Sequence, residues 1–165
     1  MILRNLIPAL TLCALPSLAT ALQAIPEGWF FTPHTQGKTL QAHTDQIGTL
    51  NQLEPNSTFV SVPVISRRAV GISERTGSAQ LIRLEAEVNA VMHREKSKPR
   101  SVSKKIVNER GVYEAEYGRS GKGFTWVYAS TIGDTVVVLI GVSREMKPAK
   151  SARDDFFKMA RAFSP

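Results

Sequence analysis

The clearest strand patterns of hydrophobic and polar residues lie between residues 112 and 143. Residues 113–117 alternate aromatic or small residues with glutamates, which is the period of a half-buried strand. Residues 124–131 are aromatic and β-branched, and residues 135–142 are apolar on both faces. A strand of the last kind is central or covered by a helix, so a charge at Val138 should be among the most damaging single changes. The pattern predicts three consecutive antiparallel strands at the centre of the fold.

Glycines mark the connections between these strands. Residues 118–123 contain three glycines, which predicts a loop. The glycines of this loop are spaced as in a phosphate-binding P-loop, but Phe124 occupies the position where a P-loop requires a lysine. We therefore expect a solvated hairpin loop. Gly133-Asp134 predicts a two-residue turn of type II′.

Two stretches have the spacing of amphipathic helices. Residues 78–95 carry an apolar stripe, with Ser78 as the expected N-cap and Glu87 off the stripe. Residues 151–163 carry a second stripe after a start that resembles a capping box, with Asp154 in the place of the usual Glu or Gln. The first stripe consists of Leu81, Leu84, Val88, Val91 and Met92, and the second of Phe156, Met159, Ala160 and Phe163.

The first half of the chain has weaker patterns. Residues 26–31 predict a first strand that enters after a turn, with Trp29 and Phe31 on one face. Residues 32–57 are polar and predict a long loop, with a short helix near residues 45–53 as an alternative. Residues 58–66 alternate valine with other residues and predict a strand, which Pro63 places at an edge or a bulge. Together the elements predict an α+β fold, a mostly antiparallel sheet packed with two main helices.

The N-terminal segment has the features of a signal peptide. Residues 1–21 begin with Arg4, continue with a short apolar run broken by prolines, and end in a small-x-small cleavage site at Ala21. The run does not suit a membrane span. Cleavage would remove Cys13, the one cysteine, and leave residues 22–165 as a single domain without thiol chemistry. We therefore expect a periplasmic or secreted protein with no transmembrane segment after cleavage.

Positive charge is concentrated in the middle of the chain. Residues 67–105 carry ten basic and four acidic residues, whereas the whole chain has a net charge of +7. Residues 94–105 also contain Pro99 and three serines, which predicts a mobile basic loop. Such a surface attracts acidic partners. Nucleic acid is not expected as a partner, because the sequence has no zinc, helix-turn-helix or RNA-binding signature.

The sequence contains no recognisable catalytic motif. No Gly-x-Ser-x-Gly occurs, and His34, His43 and His93 lack the i, i+4 spacing of a helical metal pair. Glu114 and Glu116 point the same way, as paired carboxylates do in acid/base sites, but an alternating strand places them on its solvent face. We therefore expect no enzymatic activity, no cofactor and no metal.

The candidate binding residues combine charge with aromatic surface. Trp126 and Tyr128 lie on one face of their strand, where they either line a concave ligand surface or pack in the core. The full set predicted to contact a partner is Lys96, Lys98, Arg100, Arg119, Lys122, Trp126 and Tyr128.

The order of elements resembles the Mog1/PsbP-like fold. The resemblance rests on Gly28-Trp29 at the first strand, Gly133-Asp134 before the very apolar last strand, and Phe163-Ser164 at the close of the final helix. Exported bacterial proteins of the DcrB and LpqN type have this order. The resemblance implies an α/β/α sandwich and a non-enzymatic binding or accessory role, and it supplies no active-site residues. The polar segment at residues 32–57 departs from the family pattern.

These observations lead to one expected function and two alternatives. We expect an exported binding or accessory protein that acts through contacts with another protein, an acidic one where the basic loop is used. The first alternative is an immunity protein that neutralises a periplasmic toxin. The second is a carrier that holds a small ligand against the aromatic face.

Overall fold

The computed structural model describes residues 25, 27–33, 46–53, 61–74, 76–93, 98–119, 123–143, 145 and 150–163. The strands are β1 (Trp29–Pro33), β2 (Gln46–Gln52), β3 (Ser61–Ala69), β4 (Pro99–Val107), β5 (Arg110–Arg119), β6 (Gly123–Ile132) and β7 (Thr135–Ser143). The helices are α1 (Gly77–Met92) and α2 (Lys150–Phe163), and a short 3-10 helix spans Ile72–Glu74. No helix in this described part is both long and apolar enough to cross a membrane.

The strands form one seven-stranded sheet in the order β1-β2-β3-β7-β6-β5-β4, with every neighbouring pair antiparallel. The predicted meander is confirmed as β5, β6 and β7, and the very apolar β7 is the central strand. Gly133 and Asp134 form the two-residue turn between β6 and β7, since Ile132 pairs with Thr135. Gly133 has a φ of 56°, as the first position of a type II′ turn requires.

The sheet is covered on both faces, which explains why β7 has no polar side. Val136 and Val138 pack in a hydrophobic cluster with α1, and Val137 and Leu139 pack in a second cluster with α2. Each fully buried Val or Leu contributes about 1.5–3 kcal/mol relative to an exposed one. The result is the predicted α+β fold, an α/β/α sandwich with one core on each side of the sheet.

Polar contacts, in addition to apolar ones, hold α1 against the sheet. The Gln80 side chain accepts a hydrogen bond from the backbone N–H of Gly111 and donates one to Thr131 Oγ1 at 3.4 Å. Glu87 is buried, and its carboxylate lies 2.8 Å from Arg67 Nε on β3 and 2.9 Å from Arg83 on α1. The sequence placed Glu87 off the buried stripe, and this is wrong because its two arginine partners permit burial of the charge.

Aromatic packing fixes α2 to the opposite face. The Phe156 ring stacks on Trp126 with centroids 6.1 Å apart, and Phe157 meets it edge-on at 5.1 Å. Gly141 of β7 lies directly beneath the Phe156 ring. The predicted stripe of this helix is confirmed, because Phe156, Met159, Ala160 and Phe163 are all buried.

Two polar segments form strands where the sequence predicted other structure. The suggested helix near residues 45–53 is wrong, since Gln46–Gln52 is β2, which pairs with β1 and β3 and buries Leu50. The loop predicted for residues 94–105 is wrong from Pro99 onward, where β4 pairs along β5. In both cases backbone hydrogen bonds to a neighbouring strand override a local composition that does not favour strands.

The predicted edge position of β3 is also wrong, because β3 lies between β2 and β7. Pro63 is accommodated because the β3–β7 register begins at Val64, so Pro63 pairs with Thr49 of β2 only.

Both helices begin earlier than predicted: α1 has Thr76 rather than Ser78 at its N-cap position, with no side-chain cap hydrogen bond. Residues 1–24, which include the predicted signal peptide, lie outside the described residues.

Candidate binding site at the β4 edge

Among the strands that the structure describes, β4 is the last of the sheet and has a neighbour on one side only. It is nine residues long, and every residue is exposed except Lys105, which is half-buried. Its sequence contains three cations, Arg100, Lys104 and Lys105, and no acidic residue. Lys98 stands exposed immediately before it. The sheet therefore ends in a long, accessible and positively charged edge.

Two cations of β4 have partners, one on the sheet and one on α1. Arg100 lies over the Phe124 ring at 5.2 Å, a cation–π contact. Lys104 Nζ is 2.6 Å from the Glu85 carboxylate of α1. These contacts draw the cationic groups back over β6 and α1, while both side chains remain exposed.

Exposed apolar side chains accompany the charges on β4. Val102, Ile106 and Val107 are 42%, 45% and 44% exposed. Val102 and Ile106 lie on the α1 side of the sheet, opposite Ala115 and Gly111, whereas Val107 lies on the α2 side opposite Arg110. A strand placed beside β4 would thus find apolar contacts on both faces.

On the α2 side, a buried carboxylate organises a cluster of cations. Glu114 is 8% exposed, and its two oxygens lie 2.7 Å from Arg161 Nε and 3.5 Å from Lys105 Nζ. The hydrogen bond from Arg161 to Glu114 raises the pKa of the Arg161 guanidinium. Glu116, two residues along β5, accepts a hydrogen bond from Trp126 Nε1 at 2.8 Å.

The prediction that Glu114 and Glu116 form a solvent face is wrong for a physical reason. It assumed that only one side of β5 is covered, but α2 covers the other side and brings Arg153 and Arg161 to the two carboxylates. Both glutamates serve as partners for cations, and Glu116 also for the Trp126 indole. The two glutamates therefore have a structural role, because their ion pairs hold α2 against the sheet.

The structure places the predicted binding residues in different environments. Lys98 and Arg100 are exposed at the β4 edge. Arg119 is the last residue of β5, and its side chain is not described; Lys96 and Lys122 lie outside the described residues. Trp126 and Tyr128 are 0% and 1% exposed in the core under α2, which corrects the expectation that they present apolar surface to a protein.

Other residues of this region were not singled out from the sequence. Val102 lies within the segment predicted as a mobile loop, and only the edge position of β4 makes the exposure of Val102, Ile106 and Val107 notable. The signal that could have found them is the presence of three β-branched apolar residues in this basic segment, since such residues favour strands.

Metal-binding residue types do not cluster in the described part of the chain. Within it, no three His, Cys, Asp or Glu side chains lie close enough together to hold a metal ion. His93 is exposed at the end of α1, and His34 and His43 fall outside the described residues.

The comparisons with known proteins concern the fold. No protein-family model and no curated protein matches the chain. Among solved structures, the chain is similar to the solution structure of cyanobacterial PsbP (CyanoP) from Synechocystis sp. PCC 6803. The match has a TM-score of 0.54 and 11% sequence identity, and it covers 83% of this chain and 81% of that chain. The match shows that the chain has a PsbP-like fold. At this level of sequence identity, a similar architecture says nothing about activity.

Proposed function

We propose that this protein is an exported, non-enzymatic binding protein that adds an acidic, extended segment of a partner protein to its sheet at β4. The observation that carries the proposal is the β4 edge: nine residues, paired on one side, exposed and free of acidic residues. Addition of a strand to a sheet edge is a common mode of peptide recognition, in which main-chain hydrogen bonds provide affinity and side chains provide specificity.

The charges of β4 favour an acidic partner over a second copy of the chain. Exposed edge strands invite pairing, and lysines on the edge oppose it. Two copies of β4 placed side by side would set the three cations of one strand, Arg100, Lys104 and Lys105, beside a strand that also carries three cations and no carboxylate. Like charges directly opposite each other on neighbouring strands are destabilising, whereas opposite charges contribute roughly 0.2–1 kcal/mol per pair. The same lysines that oppose self-association therefore select for acidic strands.

The wider context of the proposal is the bacterial envelope. The N-terminal sequence features support export to the periplasm, and the element order supports kinship with exported proteins of the DcrB and LpqN type. An accessory protein and an immunity protein would both use such an edge, and the acidic partner itself would distinguish the two roles.

A designed peptide can stand in for the partner segment in a binding test. The peptide is about ten residues long, to match β4, and alternates Val or Thr with Glu. A second peptide carries Lys in place of Glu. We expect saturable binding of the acidic peptide by fluorescence anisotropy, weaker at higher salt, and no binding of the basic one. Backbone amide chemical shifts should change along residues 100–107 of β4 and stay unchanged in β1, the other edge strand.

Charge reversal at the edge provides the matched variants. Lys98→Glu with Arg100→Glu should abolish binding of the acidic peptide and permit binding of the basic one. The control Lys150→Glu with Lys158→Glu makes the same change in charge on the exposed side of α2 and should leave binding nearly unchanged. If both double variants lose binding equally, the contact is non-specific and the edge is not the site.

A further inference from the structure

The turn between β4 and β5 fixes which backbone groups of β4 point to the open edge of the described sheet. Val107 pairs with Arg110 across a two-residue loop. The loop residues, Asn108 and Glu109, have φ of 49° and 65°. Positive φ at both positions defines a type I′ turn, whose flanking residues form a hydrogen-bonded pair. The backbone N–H and C=O of Val107 therefore point toward β5.

Backbone groups alternate in direction along a strand, and the β4–β5 register has no shift from Ser101 to Val107. Counted back from the turn, the N–H and C=O groups of Val102, Lys104 and Ile106 point away from β5. An incoming strand would form its main-chain hydrogen bonds with these three residues. Their side chains lie on the α1 side of the sheet.

On the α1 side, β4 presents apolar surface and one ion pair. Val102 and Ile106 are both exposed. Lys104 lies between them, and its Nζ is 2.6 Å from the Glu85 carboxylate of α1. Because Glu85 balances the charge of Lys104, β4 offers an incoming strand apolar contacts on this side and no excess charge.

On the α2 side, the cations of β4 exceed the carboxylates that contact them. Arg100 lies over the ring of Phe124, which packs against the cluster under α2. Lys105 Nζ is 3.5 Å from Glu114, which also accepts a hydrogen bond, at 2.7 Å, from an arginine of α2. Arg100 and Lys105 thus have part of one carboxylate between them in the described contacts. Val107, the exposed apolar residue of β4 on this side, lies next to the turn.

From this difference between the two sides we propose that the partner segment adds to β4 as an antiparallel strand, with its apolar side chains on the α1 side and its acidic side chains on the α2 side. The assignment rests on the proposed function and specifies the segment that the edge accepts. All neighbouring strands of the described sheet are antiparallel, and parallel pairing is slightly less stable per residue. In this arrangement the apolar residues of the segment exchange main-chain hydrogen bonds with Val102, Lys104 and Ile106. The N–H groups of its acidic residues point away from β4.

Backbone N-methylation of the designed acidic peptide tests this alternation. One version carries N-methyl groups on central Val or Thr residues, and the matched control carries the same number on central Glu residues. An N-methyl group removes a donor and meets β4 only where the N–H pointed toward β4. We expect the first version to bind the full chain about tenfold or more weakly than the unmodified peptide in fluorescence anisotropy. The second version should bind within about twofold of the unmodified peptide.

Two adjacent variants test which side of the sheet receives the acidic residues. Val102→Lys and Ser103→Lys add the same charge to neighbouring exposed residues on opposite sides of the sheet. Ser103→Lys should strengthen binding of the unmodified peptide about two- to fourfold, as an opposite-charge pair across strands does. Val102→Lys should weaken binding about two- to fourfold, because it replaces an apolar contact, although the added charge attracts the peptide at long range.

Some results would overturn this assignment and leave the proposed function standing, because the unmodified peptide still binds at β4. Greater weakening by N-methylation of Glu than of Val or Thr would mean that the strand is parallel or that its sides are inverted. Equal effects of the two N-methylations would mean that the alternation of N–H groups is not recognised. Stronger binding to both lysine variants would mean that overall charge alone selects the peptide. Failure of the unmodified peptide to bind would overturn the proposed function together with this assignment.

Discussion

Gly141 and Phe156 form the contact that joins the central strand to α2, and a methyl group added at Gly141 should disrupt it. A Cβ at this position would lie 2.5 Å from Cδ2 and 2.7 Å from Cε2 of the Phe156 ring. Carbon atoms in contact are normally about 3.5–4.0 Å apart, so the ring would have to move by roughly 1 Å. It has no room to do so, because Trp126 stacks on it and Phe157 meets it edge-on.

The magnitude follows from two opposing effects. Overpacking of a core costs about 1–3 kcal/mol. Against this, Ala in place of Gly stabilises by about 0.4–1 kcal/mol where the backbone permits, and Gly141 is not among the described glycines with positive φ. We therefore expect Gly141→Ala to lower the free energy of unfolding by about 1–2 kcal/mol. Phe156→Ala alone should cost about 3–5 kcal/mol.

The double variant gives the decisive result. With the Phe156 ring removed, Gly141→Ala should become neutral or stabilise by up to about 1 kcal/mol, so the coupling between the two changes should be about 1–3 kcal/mol. Urea titrations followed by tryptophan fluorescence and circular dichroism would measure it. Gly71→Ala is the control, because its Cβ would lie 3.5 Å from the Glu74 carboxylate, an ordinary contact. Equal costs of Gly141→Ala with and without the Phe156 ring would refute the reasoning.

Two further predictions concern buried polar groups on the α1 side. Burial raises the pKa of both Tyr113 and Tyr117 above the ordinary value of 10.0. Above pH 10 the unfolded chain therefore releases protons that the folded chain retains, so the free energy of unfolding should fall as pH rises. Replacing both tyrosines by Phe should make this fall smaller. Urea midpoints measured from about pH 9 to 11 would show the difference. Glu87→Gln should cost about 1–3 kcal/mol, because the partly buried Arg67 and Arg83 lose the carboxylate that joins α1 to β3. A urea midpoint within error of the parent protein would show that this ion pair does not stabilise the docking of α1.

The elements with the clearest periodicity were predicted correctly from the sequence. The strands β5 to β7 and the apolar stripes of both helices follow from spacing alone, because each buries a continuous apolar face. The apolar character of β7 on both faces also predicted its central position. These residues provide most of the hydrophobic stabilisation, so their pattern is strongly constrained.

The polar strands and the sites depend on the tertiary structure. β2 and β4 have weak local preference for a strand, and each forms because a neighbouring strand satisfies its backbone hydrogen bonds. Arg161 reaches Glu114 across 47 positions of sequence, a distance over which no pattern predicts a contact. The exposed β4 edge arises in the same way.

The sequence by itself thus determined that this chain builds a sheet with two helices, because the periodic burial of apolar side chains is a local property of each segment. The tertiary structure alone decided which charges are buried and which strand ends the sheet. Those features depend on the order of strands and on the helix that covers each face, and neither is encoded in the spacing of any one segment.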